Sequence, residues 1–116
     1  MQVSTSIDAT DNLVRGVGFF AVTMYGTTHI VFANNSCQHD VPPALAGTPG
    51  ITITLSAASQ SVVGNRVSAQ KGVTSFSING QHLSAVANVT SGQWTVGVPA
   101  ANVVPTPLNQ FNIFGV

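Results

Sequence analysis

Apolar residues recur at every second position along most of this chain, and that alternation constrains the fold more than any other feature. Ile51, Ile53, Leu55 and Ala57 alternate with Thr52, Thr54 and Ser56, and Val3, Thr5 and Ile7 open the chain in the same way. Side chains on a strand point to opposite faces in turn, so this period buries one face and leaves the other to solvent. Helix formers are scarce: the 116 residues hold no Glu, one Lys and five Leu, against 17 Val and 12 Thr. β-Branched residues in that proportion favour strands. Turn signals fall at Asp8–Asn12, Gly26–Thr28, Gly64-Asn65, Asn79-Gly80 and Gly92.

Two segments are expected to fold as hairpins. One joins Leu13–Tyr25 to His29–Ala33, with Gly16 and Gly18 marking a bulge or a close backbone approach. The other joins Val73–Ile78 to His82–Thr90 around Asn79-Gly80, a pair that tolerates the positive φ of a type I′ turn. Gln93–Val98 and Gln110–Val116 read as further strands, for a total of about eight or nine. The expectation is an all-β fold, one β-sandwich spanning residues 1–116, immunoglobulin-like or a jelly roll. Extended arms are expected at 1–12 and 105–116. The stretch from Asn34 to Gly50 lacks periodicity and reads as a long loop, with room for a helical turn at Ala44–Ala46.

Charge narrows the function classes. Lys and Arg number 3, Asp and Glu 3, and the net charge is zero. Only 5% of the residues are charged, where an ordinary soluble domain carries about 25%. Three basic residues spread from Arg15 to Lys71 supply no phosphate-binding face, so nucleic acid is not an expected partner. A polybasic membrane surface is absent for the same reason. The longest apolar stretch, Val17 to Tyr25, is half the roughly 20 residues that a spanning helix needs. Residues Met1–Thr5 carry no basic region of the secretory kind. A lone cysteine, Cys37, excludes an internal disulfide framework. Surfaces this neutral associate readily, because little self-repulsion holds copies apart. Assembly follows as an expectation.

The run Gly92-Gln93-Trp94-Thr95-Val96-Gly97-Val98-Pro99-Ala100-Ala101 follows the alternating segments Phe76–Leu83 and Ala85–Val89. This G-x-W-x-V-x-V-P pattern resembles the C-terminal half of bacterial and phage immunoglobulin-like modules, found in virion proteins and surface adhesins. No tandem copies of it occur in the chain. The resemblance implies a sandwich with Trp94, Val96 and Val98 facing the core. It further implies a non-enzymatic structural protein of a phage virion, a capsid decoration or a tail or fibre subunit. Such a protein would assemble as a homo-oligomer, a trimer or a ring among the closed forms, on a major capsid or tail protein. The alternative is a receptor- or carbohydrate-binding module of an adhesin or fibre tip, at the cell surface or outside the cell.

Candidate chemistry is thin. Asn35, Cys37, His39 and Asp40 form a candidate binding loop. One C-x-H offers two metal ligands where a closed zinc site needs four. Cys37 and His39 share a strand face, yet no third orienting group accompanies them. There is no Gly-x-Ser-x-Gly elbow, and a carboxylate pair would have to come from Asp8, Asp11 and Asp40. No enzyme activity, metal or cofactor is expected. Asn34-Asn35-Ser36 and Asn88-Val89-Thr90 match the glycosylation sequon by chance. Trp94 is a core residue or, in the alternative, a sugar-stacking platform. The tail offers a candidate interface, Pro105, Pro107, Phe111, Ile113, Phe114 and Val116, as a strand docked on a neighbouring subunit.

Overall fold

A computed structural model describes residues 6–16, 20–25, 28–39, 49–69 and 73–115. Its elements follow one another in threes. The first coil holds β1 (Ser6–Thr10), β2 (Leu13–Gly16) and β3 (Phe20–Tyr25). The second holds β4 (His29–Ala33), β5 (Ser36–His39) and β6 (Pro49–Ser56), and the third β7 (Ser59–Val63), β8 (Arg66–Ala69) and β9 (Val73–Asn79). The fourth holds β10 (His82–Val86), β11 (Val89–Thr90) and β12 (Trp94–Gly97). A last, partial coil has β13 (Val103–Val104) and β14 (Ile113–Phe114), with 3-10 turns at Ala100–Asn102 and Leu108–Gln110.

Each strand pairs not with its neighbour in sequence but with the strand one coil away. The sheets run β1-β4-β7-β10-β13, β14-β11-β8-β5-β2 and β12-β9-β6-β3, and every pairing is parallel. This is a three-sided parallel β-helix. It corrects the expected antiparallel sandwich, immunoglobulin-like or jelly-roll, while the all-β assignment stands. The reason is physical. Alternation says only that each strand buries one face, and parallel sheets usually hide both faces under helices. A solenoid escapes that rule, because its three sheets cover one another and leave their outer faces wet. The two expected hairpins dissolve with the sandwich. β9 pairs with β6 and β12, and β10 with β7 and β13, so Asn79-Gly80 is a corner between two sheets rather than a reversal.

Register stacks like positions into inward columns. Ile7, Ile30, Gln60, Leu83 and Val103 form one, and Ala9, Phe32, Val62 and Ala85 another. The second sheet contributes Val14, Cys37, Val67, Thr90 and Phe114. The third contributes Val22, Ile53, Phe76 and Trp94 beside Met24, Leu55, Ile78 and Val96. Members of the middle coils are fully buried, whereas Ile7, Ala9, Val14, Val22, Val96 and Val103 at the two ends are only partly so. The core is thus a column of aliphatic layers with ragged ends. Phe76 stacks on Trp94 at 4.5 Å between ring centres, and Trp94 leans on Phe114 at 5.0 Å.

Candidate functional site

The most organised polar structure in the molecule is the corner between the first two sheets. Each coil turns there through one asparagine: Asn12, Asn35, Asn65, Asn88 and Asn112. Asn12 is exposed, and the other four are at most 3% exposed. Asn12 donates to Asn35 Oδ1 from its backbone N–H at 3.1 Å and from Nδ2 at 2.9 Å. Asn35 repeats both bonds to Asn65 Oδ1 at 3.0 Å, and Asn65 to Asn88 Oδ1 at 3.0 and 2.9 Å. Asn88 does the same to Asn112 Oδ1 at 3.2 and 2.8 Å. The second hydrogen of each Nδ2 goes to a carbonyl of the preceding coil. Asn35 uses Ala9 O, Asn65 uses Phe32 O, Asn88 uses Val62 O and Asn112 uses Ala85 O.

Every interior rung therefore accepts twice and donates to at least two acceptors, Asn88 Nδ2 also reaching Val86 O at 3.1 Å, which leaves no amide of the buried rungs unsatisfied. The ladder has a direction, because each carboxamide donates toward the C-terminal end. It stops at Asn112, whose Nδ2 also bonds Leu108 O at 2.7 Å.

The residue before each of the first four asparagines sets up the bend, whereas Phe111 before Asn112 has φ -129°. Asp11, Asn34, Gly64 and Ala87 all take positive φ, between 54° and 67°. Gly, Asn and Asp tolerate that region, but alanine pays roughly 1–2 kcal/mol for it. Ala87→Asn is therefore expected to stabilise the fold by about 0.5–1 kcal/mol. A higher urea midpoint at unchanged slope checks this.

The candidate site residues are scattered by this geometry. Asn35 belongs to the ladder. Cys37 and His39 point inward from β5 and are 2% and 3% exposed, and Asp40 lies outside the described residues. Of the stretch read as a loop, residues 34–39 form a corner and β5, and β6 begins at Pro49. Residues 40–48, with the helical turn expected at Ala44–Ala46, lie outside the described residues, as do Gly18 and Lys71.

Burial pushes the Cys37 thiol above its ordinary pKa by desolvation. A neutral, enclosed thiol is a poor nucleophile. Cys37 should stay unlabelled by a disulfide reagent in the folded protein and react fully in denaturant. Fast labelling of the native protein would contradict its placement. Among the described residues, no three His, Cys, Asp or Glu side chains come close enough to hold a metal ion.

In the tail, Pro105 is buried and Pro107 exposed. Phe111 and Ile113 are 59% and 54% exposed. Phe114 is half-buried against Trp94, and Val116 lies outside the described residues. The strand of the expected arm pairs with its own chain, β14 on β11. Trp94 is sandwiched between Phe76 and Phe114, and its ring nitrogen is buried. Trp94 is half-buried, with Phe76 stacked on its ring, which takes from a sugar the face it would stack on there.

Sequence reasoning missed Asn12, Asn65, Asn88 and Asn112 as a set. The signal was their spacing. Successive rungs lie 23, 30, 23 and 24 positions apart.

Two apolar recesses mark the ends of the core. One of about 190 Å³ lies among Ala9, Val14, Val22, Phe32, Asn35 and Cys37. The other, of about 240 Å³, lies among Val96, Val98, Val103, Pro105 and Leu108. No helix among the described residues is long and apolar enough to cross a membrane. Comparison with family models, with curated proteins and with solved structures gave no match in any of the three.

Proposed function

We propose that this chain is a non-enzymatic structural protein of a phage virion, a tail, fibre or capsid-decoration subunit that works as a homo-oligomer. The observation that carries the reading is the chemistry of the outer sheet faces. On the third sheet Thr23, Thr54, Ser77 and Thr95 fall in one outward column. On the first sheet Ser61 and Ser84 stack beside Val63 and Val86. Such neutral hydroxyl and small apolar faces can pack against other protein without the desolvation penalty that charges impose. The ladder and the layered core hold those faces rigid, as a mechanical part requires. The receptor-binding alternative is less favoured, since Asn35, Cys37 and His39 are buried and Trp94 is covered.

Fractionation tests the proposal. Particles purified from the source culture by density gradient should carry the chain in many copies each. Recovery of the chain only in the particle-free fraction would sink the reading.

A further inference from the structure

The two ends of the β-helix are built differently. At the C-terminal end two of the three edges are blunt: β13 and β14 are 2 residues each, against 4 for β12 on the third sheet, and Leu108 O closes the ladder on Asn112. Short edges of that kind resist further pairing. At the N-terminal end the outermost strands are β1, β2 and β3, with 5, 4 and 6 residues, and each is the last strand of its sheet among the described residues. Of that coil's inward apolar side chains Met24 is buried, whereas Ile7, Ala9, Val14 and Val22 are only partly covered.

Asn12 sits at the same end. Its carboxamide makes a single bond among the described residues, Nδ2 to Asn35 Oδ1. By the pattern of the other rungs it keeps one donor hydrogen and its acceptor oxygen for a coil beyond. A primary amide with one of each is complementary to itself across a two-fold axis.

We propose that two copies of the chain join through their first coils about such an axis, with the two Asn12 carboxamides paired on it. This rests on the homo-oligomeric reading above and names its interface. The geometry fixes the rest. An axis through the Asn12 corner lays β1 of one copy antiparallel over β2 of the second, and β3 over β3. Exposed Asp8 and Asp11, on and after β1, then face exposed Arg15 on the second copy's β2, and the reverse holds across the axis. Half of the six formally charged residues of the chain lie in this coil, and they lie where opposite signs meet. Isologous pairs of this kind are the commonest oligomers. The product is one continuous column of ten coils, with a blunt end at each extremity.

Light scattering coupled to size exclusion, at neutral pH and low salt, tests the interface on the intact chain. The wild type should run as a dimer or a multiple of it. Arg15→Asp should raise the dissociation constant roughly tenfold or more, because attraction becomes repulsion twice over. The double change Asp8→Arg with Arg15→Asp should bring the dimer back. Circular dichroism confirms that each variant is folded. Asn12→Asp adds a second readout: two carboxylates on the axis repel at neutral pH, so this variant should be monomeric at pH 7.5 at concentrations where the wild type is dimeric. A wild-type oligomer indifferent to all three variants overturns this interface and leaves the homo-oligomer intact. A wild-type monomer at every concentration overturns both.

Discussion

Asn65→Ala should be the most damaging single change in the ladder, lowering stability by about 4 kcal/mol or more. The side chain accepts from the backbone N–H and Nδ2 of Asn35, both at 3.0 Å. It donates to Phe32 O at 2.8 Å and to Asn88 Oδ1 at 2.9 Å. Truncation leaves the Asn35 N–H without its acceptor, takes a donor from Phe32 O, and removes one of two bonds from Asn35 Nδ2 and from Asn88 Oδ1, at a position that is 1% exposed, where no bulk water replaces them. Each buried orphan costs about 1–3 kcal/mol, and marginal domains have only 5–15 kcal/mol in hand. Asn12→Ala, at the exposed end, should cost much less, since it removes one side-chain bond and Asn35 Oδ1 keeps the backbone N–H of residue 12. Urea denaturation of the two variants decides the point, and equal losses would show that the ladder does not carry the corner.

Asn65→Asp adds a pH test on the same site. A carboxylate there would face the Phe32 carbonyl and Asn88 Oδ1, two acceptors, without a counter-charge. The folded-state pKa is therefore raised above the unfolded value near 3.9. With a raised pKa the folded state holds its proton where the unfolded chain has released it. The variant is then most stable below the unfolded pKa and loses stability as pH rises through the folded one. Wild type carries no such group in the ladder and should not show that trend.

Much of this architecture was visible in the residues, but its connectivity was not. The strands announced themselves by alternation, and the corners at Asp11-Asn12, Gly64-Asn65 and Asn79-Gly80 were recognised as bends. What alternation does not encode is the partner of a strand. Asn79-Gly80 suits a type I′ reversal, yet here Gly80 is chosen because of what lies beside it rather than for its φ. The repeat was hidden by two circumstances. Short windows around the rungs, such as Val63-Gly64-Asn65-Arg66 and Val86-Ala87-Asn88-Val89, share little beyond the asparagine and a preceding Val. The longer interval of 30 positions between Asn35 and Asn65, which contains residues 40–48, breaks a period otherwise near 23. Asn34 and Asn88 head sequons that looked accidental; Asn88 spends its amide on the ladder, while Asn34 is the exposed residue before the Asn35 rung. The candidate loop failed as a site because strand β5 turns Cys37 and His39 inward.

Gly80→Ala is expected to be the largest backbone lesion, costing about 3 kcal/mol or more. A Cβ at this position would fall inside the Ala57 carbonyl oxygen and crowd the Gln60 amide nitrogen at 2.9 Å. Neither can yield cheaply. Ala57 O accepts from Gln60 Nε2 at 2.9 Å, and the same Nε2 donates to Asn79 O at 2.6 Å. Gln60 is itself 1% exposed and stands in a column otherwise made of Ile, Leu and Val. It is tolerated there because it ties two successive corners together, through Ala57 and Asn79. Moving Ala57 away to admit a methyl group breaks its bond to Gln60 and its own N–H bond to Asn79 O, and leaves one hydrogen of a buried amide without an acceptor. Gly16→Ala is the matched control, since nothing lies within 4 Å of a Cβ built there, and β2 should gain slightly from the loss of chain entropy in the unfolded state. Thermal melts of the two variants should therefore move in opposite directions, downward for Gly80→Ala and unchanged or upward for Gly16→Ala. A Gly80→Ala protein that melts with wild type would mean that this corner relaxes freely, and that Gln60 is not what holds the second and third coils in register.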